Sequence, residues 1–595
     1  MSKKTIEGMA VSPATIIAML AFVLLGGFLF FYLQSTQEFS YFYREQQQVF
    51  LHDSSYIGSL VNQIGGVGVL ISQYLIQFFL LTKAGALLTA LISVLTGVFL
   101  WLAFKPLSHS WFLAPLLMLP AFFYNLYLAD SYVHYEGMVA LLVLAVSLWL
   151  HGLMTRFHWG IRVAASSVWS LCLYGAFGPV AVLYGLTVIL YDVLVKAPKY
   201  YLSLIPLALV LMAGLLAVNQ GMLVNLSTAY WMQGYTEYFF NPGSFYNYAW
   251  LSVLATLLLF RLFGTGSAPK WLQAGSFLVG LGLLPFGYMQ INDAHQDKSM
   301  YKMEQIAYYA NHGDWDNVIR VAQSETGNYI FLNYLNLAYS KKGQLLDRFL
   351  TIPQAGSQSL ILSSSQNAEV SMMLAMLYYH VGVIGQSQVH AYSSNMAVTY
   401  GSPEMNRQMT RNYLINGQYK VAEKHIRMLE KTRYYADWAK QMRQYVNNDK
   451  ALEADPELGA KRKDLPDNDA FTALYGPIND LLMILETNPN ENTAAEYAIA
   501  MLLLDKNFEG IQVFVDRYFG KLAIWPECLQ EAIVTYSEKD MDYCRQHGVS
   551  EDVIQRFAQF RNETLQLRHG GGAVQQLARN WGNSYWYYML KTGKK

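Results

Sequence analysis

Asp130, His134 and Glu136 stand within seven residues of one another in the segment ADSYVHYEG, between two apolar runs whose connector needs none of them. A carboxylate acts as a general base once it lies within hydrogen-bond reach of an acceptor hydroxyl, and His134 can hold a substrate group beside it. Two other segments carry acids of the same kind: Glu38, Glu45 and Asp53 in EFSYFYREQQQVFLHDSSY, and Glu237 in the long stretch 219–247. Brought together, these acids could take a proton from a hydroxyl acceptor or hold a divalent cation such as magnesium or manganese. Taken singly, each is also what any wet loop tolerates. Arg44 stands beside Glu45, and its guanidinium suits a phosphate or pyrophosphate; it suits an interfacial anchor or a neighbouring acid equally. Tyr230, Trp231, Tyr235, Tyr238, Phe239 and Phe240 could stack on sugar rings, although an aromatic belt at a membrane interface is the simpler reading.

Other chemistries leave no mark. No phosphate-binding glycine loop, zinc-ligand pair or serine-nucleophile motif is present, and Gly65, Gly66 and Gly68 do not make a dinucleotide fingerprint. Three cysteines, Cys172, Cys528 and Cys544, give neither a disulfide framework nor metal spacing, with a Cys528–Cys544 bridge left open. The formal net charge of zero argues against a nucleic-acid partner, because no long basic patch exists to replace counterions.

Which face of a membrane the acids occupy depends on the elements around them. Residues 1–290 hold 19 of the chain's 84 charges. Apolar stretches near 14–34, 84–104, 111–128, 137–154, 163–178, 179–196, 201–218, 248–264 and 271–290 approach the ~20 residues a crossing helix needs. With nine spans and a cytoplasmic N-terminus, nine of the eleven Lys and Arg residues in this region fall inside, as retention of cations on that face requires. Only Arg44 and Lys83 fall outside, and so do six of the eight acids. Counting the stretch 66–83 as a tenth span would invert the later loops, so it is expected to be an interfacial or re-entrant helix with Gln73 and Gln77 on its polar side. Met-Ser-Lys-Lys before the first apolar run, with no small-x-small cleavage site after it, reads as an uncleaved anchor.

Residues 291–595 hold 65 charges and read as an aqueous, all-helical region outside the membrane. A signature recurs in it: an aromatic or leucine four residues before a turn position and an apolar residue two after. It occurs around Gly313, Gly343, Gly382 and Gly417 and, without glycine, around Lys506. The spacing resembles tetratricopeptide repeats, whose period is about 34 residues. The expected architecture is therefore all-α, with a polytopic membrane domain at 1–290 and a tetratricopeptide-like α-solenoid at 291–595, a surface that binds polypeptides or caps a neighbour. The aromatic end, Trp581, Tyr585, Trp586, Tyr587 and Tyr588, reads as a packing element first.

An odd number of spans, acids and an interfacial helix in the first outer loop, a second acid-bearing loop and a helical domain outside together resemble the GT-C glycosyltransferases. The resemblance covers residues 10–290 and is one of layout; the Asp-Asp or Asp-x-Asp of that class is absent from the first loop. It implies a polyprenyl-phosphate-linked sugar donor, membrane lipid as surroundings, and Glu45 or Asp53 as the catalytic acid, with Asp130 and Glu136 in support. Arg44, His134, Glu237, Trp231 and Tyr235 would bind substrate. The chain also resembles a group of multipass Bacteroidota proteins with solenoid tails. The expected function is transfer of a sugar or oligosaccharide to an acceptor at the periplasmic face of the bacterial inner membrane. A non-enzymatic scaffold, holding a secretion or envelope-assembly partner on the solenoid, is the alternative. A transporter fits less well, because the spans show almost no charge beyond Asp192.

Overall fold

A computed structural model describes residues 13–107, 111–237, 247–263, 269–363, 367–466, 476–567 and 573–593. Among them the chain is all helical, and the one extended pairing is an isolated antiparallel bridge between Val133 and Thr236. It divides into two compact units, Met1–Tyr301 and Lys302–Lys595.

Unit 1 is built from α1 (Pro13–Thr36), α2 (Glu38–Glu45), α3 (Ser54–Val61), α4 (Gly66–Ile76), α5 (Ala84–Phe104), α6 (Leu119–Tyr127), α7 (Glu136–Met154), α8 (Trp159–Phe177), α9 (Val180–Val195), α10 (Leu204–Asn219), α11 (Leu226–Tyr230), α12 (Tyr248–Phe263) and α13 (Lys270–His295). Among the described residues five helical stretches are long and apolar enough to cross a membrane: Pro13–Thr36, Ala84–Leu107, Glu136–Met154, Tyr200–Asn219 and Lys270–His295. Trp111–Tyr127, Val180–Val195 and Tyr248–Phe263 are apolar but shorter. Helix α8, with Arg162 and serines at 166, 167 and 170, is not among the five. Leu20, Val23, Leu24 and Phe31 on α1, Met212 and Leu216 on α10, and Trp271, Leu278 and Leu283 on α13 all face outward. Exposed apolar surface of this extent belongs against lipid rather than water.

The stretch Gly66–Leu80 is one of the shorter apolar helices, α4 continued by a 3-10 turn at Gln77–Leu80. Gln73 and Gln77 are both buried in the protein, where the Tyr56 hydroxyl donates to Gln73 Oε1, while Ile71, Tyr74 and Leu81 are exposed. The polar stripe thus turns inward, as expected where the outer surroundings cannot satisfy an amide.

The interior of unit 1 is aromatic and closely fitted. Phe22, Tyr124, Tyr135, Tyr184 and Phe260 are all buried in one core. Gly137, in the first turn of α7, lies against Tyr124, and a Cβ there would overlap the Tyr124 ring and hydroxyl. That hydroxyl donates to the His134 carbonyl at 2.8 Å, so displacing it disturbs the loop before α7. Gly137→Ala is expected to cost about 1–3 kcal/mol, the usual penalty of overpacking. The readout is the thermal midpoint of the detergent-solubilised chain; an unchanged midpoint would show that Tyr124 has room to move.

Unit 2 contains the recurring turns. Gly313, Gly343, Gly382 and Gly417 have φ of 69°, 65°, 97° and 69°, and Lys506 reaches the same left-handed region at 54°. Each reverses the chain between two helices, such as Ala368–Val381 and Ile384–Ala397, Pro403–Ile415 and Tyr419–Leu429, or Asn492–Leu504 and Phe508–Tyr518. Glycine takes that conformation without the Cβ clash that Lys506 must bear. In the pair around Gly343 the second helix is only Leu345–Arg348. Here Asn333 and Asn336 of helix Tyr329–Lys341 bond the backbone of an irregular segment instead, at Gln358 O, Leu362 N and Ser359 O, each at 2.9 Å. The C-terminal aromatics pack inward: Trp586 donates to Glu531 O at 3.0 Å and Tyr588 to Leu504 O at 2.9 Å. Cys528 and Cys544 are buried free thiols.

Two buried carboxyls make unit 2 sensitive to pH. Burial pushes Glu496 up to about 7 and Glu531 up to about 7. Unfolded glutamate ionises near ~4.3, so between that value and 7 the folded chain retains protons that the unfolded chain has lost. Stability therefore falls as pH rises through this window, by on the order of 2–4 kcal/mol for each group. Hydrogen exchange at Asn492–Leu504 and Glu527–Tyr536, corrected for intrinsic rates, should show weaker protection at pH 8 than at pH 5.5. Glu531→Gln, which can still accept from Tyr585 N, should abolish the difference in its own helix; persistence of the full difference there would exonerate Glu531.

Candidate functional site

Loop 128–135, between α6 and α7, is held by Arg44 from the last turn of α2. Its guanidinium donates to the carbonyls of Val133, Leu128 (2.9 Å) and Asp130 (3.1 Å). Both Arg44 and Glu45 are buried, and Gln46 Nε2 donates to Glu45 Oε2 at 2.6 Å. A buried guanidinium must satisfy its donors, and here backbone carbonyls do so. The Asp130 carboxylate turns back on its own loop to accept from Tyr132 N at 2.9 Å. Burial holds the Asp130 carboxyl above its usual value, against the opposing hydrogen bond and the Arg44 charge.

The loop between α11 and α12 completes the site. Glu237 N donates to Tyr132 O at 3.0 Å, and His134 N donates to Tyr235 O at 2.8 Å. These bonds flank the Val133–Thr236 bridge and bring two remote segments side by side. On the same side of that junction His134 Nε2 lies 3.3 Å from Glu237 Oε1, and His134 Nδ1 lies 3.9 Å from Glu136 Oε1. The three side chains form a line, carboxylate to imidazole to carboxylate, with exposures of 8% for Glu136, 13% for His134 and 18% for Glu237. Glu237 is the most exposed of the three. Burial alone would lower the His134 pKa, but the Glu237 hydrogen bond and the charges of Glu136 and Glu237 outweigh it and raise it. The imidazole is thereby biased towards its cation.

The remaining sequence candidates lie in other settings. Asp53 caps α3, its carboxylate accepting from Ser55 N at 3.2 Å. Tyr235 is buried, with its hydroxyl bonded to Phe177 O and approached by Val180 N. Trp231 is exposed. Tyr238, Phe239 and Phe240 lie outside the described residues. Among the described residues, no three His, Cys, Asp or Glu side chains form a group that could hold a metal ion.

A second polar cluster escaped the sequence reading. Near the other end of α7, His151 places Nε2 3.1 Å from Asp192 Oδ1 and Nδ1 3.0 Å from Ser166 Oγ. Asp192 Oδ2 accepts from Ser203 Oγ at 2.5 Å and lies 3.3 Å from Arg162 Nε, while Arg162 Nη2 donates to Pro198 O at 2.8 Å. His151, Arg162 and Asp192 are all buried. The residues come from α7, α8, α9 and the turn before α10, so the cluster ties four elements together. A histidine and an arginine one turn inside apolar helices were the available signal. Fifteen residues of α7 separate Glu136 from His151, about 22 Å of helix.

The chain belongs to a family of unknown function, DUF6057, whose model matches residues 13–592. Neither a curated protein nor a solved structure matches it.

Proposed function

We propose that this member of DUF6057 is a membrane-embedded glycosyltransferase, with the line Glu136–His134–Glu237 as its acid–base centre. It moves a sugar or oligosaccharide from a polyprenyl-phosphate-linked donor to an acceptor at the periplasmic face of the bacterial inner membrane. In this reading unit 1 crosses nine times with a cytoplasmic N-terminus, α8 and the three shorter apolar helices Trp111–Tyr127, Val180–Val195 and Tyr248–Phe263 completing the count, and unit 2 is a periplasmic α-solenoid. The observation that carries the proposal is the closure of Glu237 on His134 from a loop 103 residues away, at 3.3 Å. A connector between spans gains nothing from two carboxylates flanking one imidazole; a reaction that must remove a hydroxyl proton does.

The step is a direct displacement. The acceptor oxygen bonds to the anomeric carbon as that carbon's bond to the donor phosphate oxygen breaks, and the electron pair leaves with the polyprenyl-linked phosphate. Glu237, the most exposed of the three, takes the hydroxyl proton. His134 orients Glu237 through Nε2 and is itself held by Glu136 on the other ring nitrogen. Arg44 is a positioning residue that fixes the loop carrying His134, and exposed Trp231 offers a face for a sugar ring.

Mass spectrometry of envelope glycans and polyprenyl-linked sugars tests this in cells with the gene deleted and restored. Build-up of one lipid-linked sugar with loss of one glycan, repaired by the parent gene but not by Glu237→Gln, is the expected result. An unchanged profile would set the transferase aside in favour of a scaffold whose solenoid holds a polypeptide partner.

A further inference from the structure

From residue 137 to residue 236 the chain has one acid, Asp192, against four cations, Arg156, Arg162, Lys196 and Lys199. The buried cluster takes up that acid and one of the cations, because His151, Ser203 and Arg162 share Asp192. Arg156, Lys196 and Lys199 remain, all exposed, and among the described residues none of them has a salt-bridge partner. Arg156 lies in the connector between α7 and α8, and the two lysines in the connector between α9 and α10. Two contacts join these connectors: Arg162 Nη2 donates to Pro198 O at 2.8 Å, and Lys199 Nζ stands 3.8 Å from the centre of the Trp159 ring. Trp159 follows Arg156 by three residues, so the three cations gather at one end of these helices.

Lys196 and Lys199 both have a φ of 53°. Glycine avoids the Cβ clash of that conformation, so a lysine held there contributes through its side chain. Lys196 closes α9, where a cation also complements the helix dipole. That reason fails for Lys199, which opens the 3-10 turn Tyr200–Ser203 leading into α10 and so sits at the end a cation opposes. The surroundings are apolar and outward-facing. Tyr200 and Tyr201 are exposed beside the lysines, as are Ile161 in the first turn of α8 and Leu204 in that of α10. The two helices pack together, with Ser170 Oγ donating to Pro206 O at 3.3 Å, so their exposed sides adjoin.

We propose that Arg156, Lys196 and Lys199 form a docking site for the headgroup phosphates of an anionic phospholipid, whose acyl chains lie along the apolar faces of α8 and α10. A neutral lipid would cover Ile161 and Leu204 but leave three charges without counter-ions, and a soluble phosphate would do the reverse; an anionic lipid meets both needs. Three cations with no free acid beside them favour a headgroup with two phosphodiesters over one with a single phosphodiester. Trp159 holds the Lys199 ammonium from one side and leaves its other face to a phosphate oxygen. The site rests on unit 1 lying in a bilayer and is independent of the transferase reading.

The test is native mass spectrometry of the full-length chain in neutral detergent, titrated with cardiolipin and with phosphatidylcholine. Cardiolipin should be retained far more tightly than phosphatidylcholine. Arg156→Gln, Lys196→Asn and Lys199→Asn should each weaken it by about fivefold, and the triple variant by about a hundredfold, the scale of cations at an anionic surface. Asparagine accepts the left-handed backbone, so the ligand-free thermal midpoints of the two lysine variants should stay parental. Lys83→Asn is the matched control: Lys83 is also exposed, with a φ of 69°. It precedes α5, whose other end approaches α7 where Ala103 O lies 3.8 Å from a Cβ placed on Gly152, so about 30 Å of helix separates it from the site. Lys83→Asn and Glu237→Gln should both bind cardiolipin as the parent does. An equal loss in Lys83→Asn would reduce the attraction to a diffuse one and overturn the site. Equal retention of phosphatidylcholine, displacement of cardiolipin by an equal concentration of inorganic phosphate, or parental binding in the triple variant would overturn it too.

Discussion

Glu237→Gln is expected to lower sugar transfer by about 10²- to 10⁴-fold, the range a positioned general base contributes, while the protein accumulates and melts as the parent does. The amide has the shape of the carboxylate and can still meet His134 Nε2, and the backbone bonds from Glu237 N to Tyr132 O and from His134 N to Tyr235 O are untouched. What is lost is the acceptor for a proton. Transfer from a polyprenyl-linked donor in washed membranes gives the rate, and the thermal midpoint of the purified variant gives the fold control. His134→Gln should lose less rate, because Glu237 remains, but should move the pH profile by removing the cation beside the base. A Glu237→Gln protein with parental activity would leave the proposed chemistry without its base.

Asp192→Asn carries the largest expected cost to stability, about 3–5 kcal/mol, the usual result of removing one partner from a buried ion pair. Asparagine can keep one contact with Ser203 or His151, yet it leaves the Arg162 guanidinium charged and buried with its counter-ion gone. The thermal midpoint should fall accordingly, and Arg162→Met added to Asp192→Asn should restore much of it by removing the stranded charge. A single Asp192→Asn variant with an unchanged midpoint would show that the cluster is not what joins α7, α8 and α9.

What could be read from the sequence depended on distance along the chain. The five helices long and apolar enough to cross a membrane were visible because each is a continuous apolar run, and run length survives without knowledge of neighbours. The left-handed turns at Gly313, Gly343, Gly382, Gly417 and even Lys506 were visible because the flanking apolar pattern repeats around each. His134 and Glu136 were singled out as adjacent polar groups in a tight loop. Their partner Glu237 was only one acid among several, because two backbone bonds across a single bridge decide the pairing, and such a bridge leaves no periodic trace. Arg44 read as a phosphate binder, an interfacial anchor or the partner of a neighbouring acid, but its binding of backbone carbonyls follows from the loop folding back over it. The His151–Asp192–Arg162 cluster was hidden for a related reason: hydropathy places each residue in a helix without saying which helix faces which.

The junction between loop 128–135 and the segment before α12 also dictates the order in which the protein becomes competent. The ribosome makes His134 103 residues before Glu237, which at about 5–20 residues per second is a wait of roughly 5–20 s. During that interval α7 to α10 are synthesised while the imidazole still lacks its second carboxylate. No nascent chain that stops short of residue 237 can form the pair of His134 and Glu237, so on the proposed function a ribosome stalled within those helices would leave a polypeptide without its base.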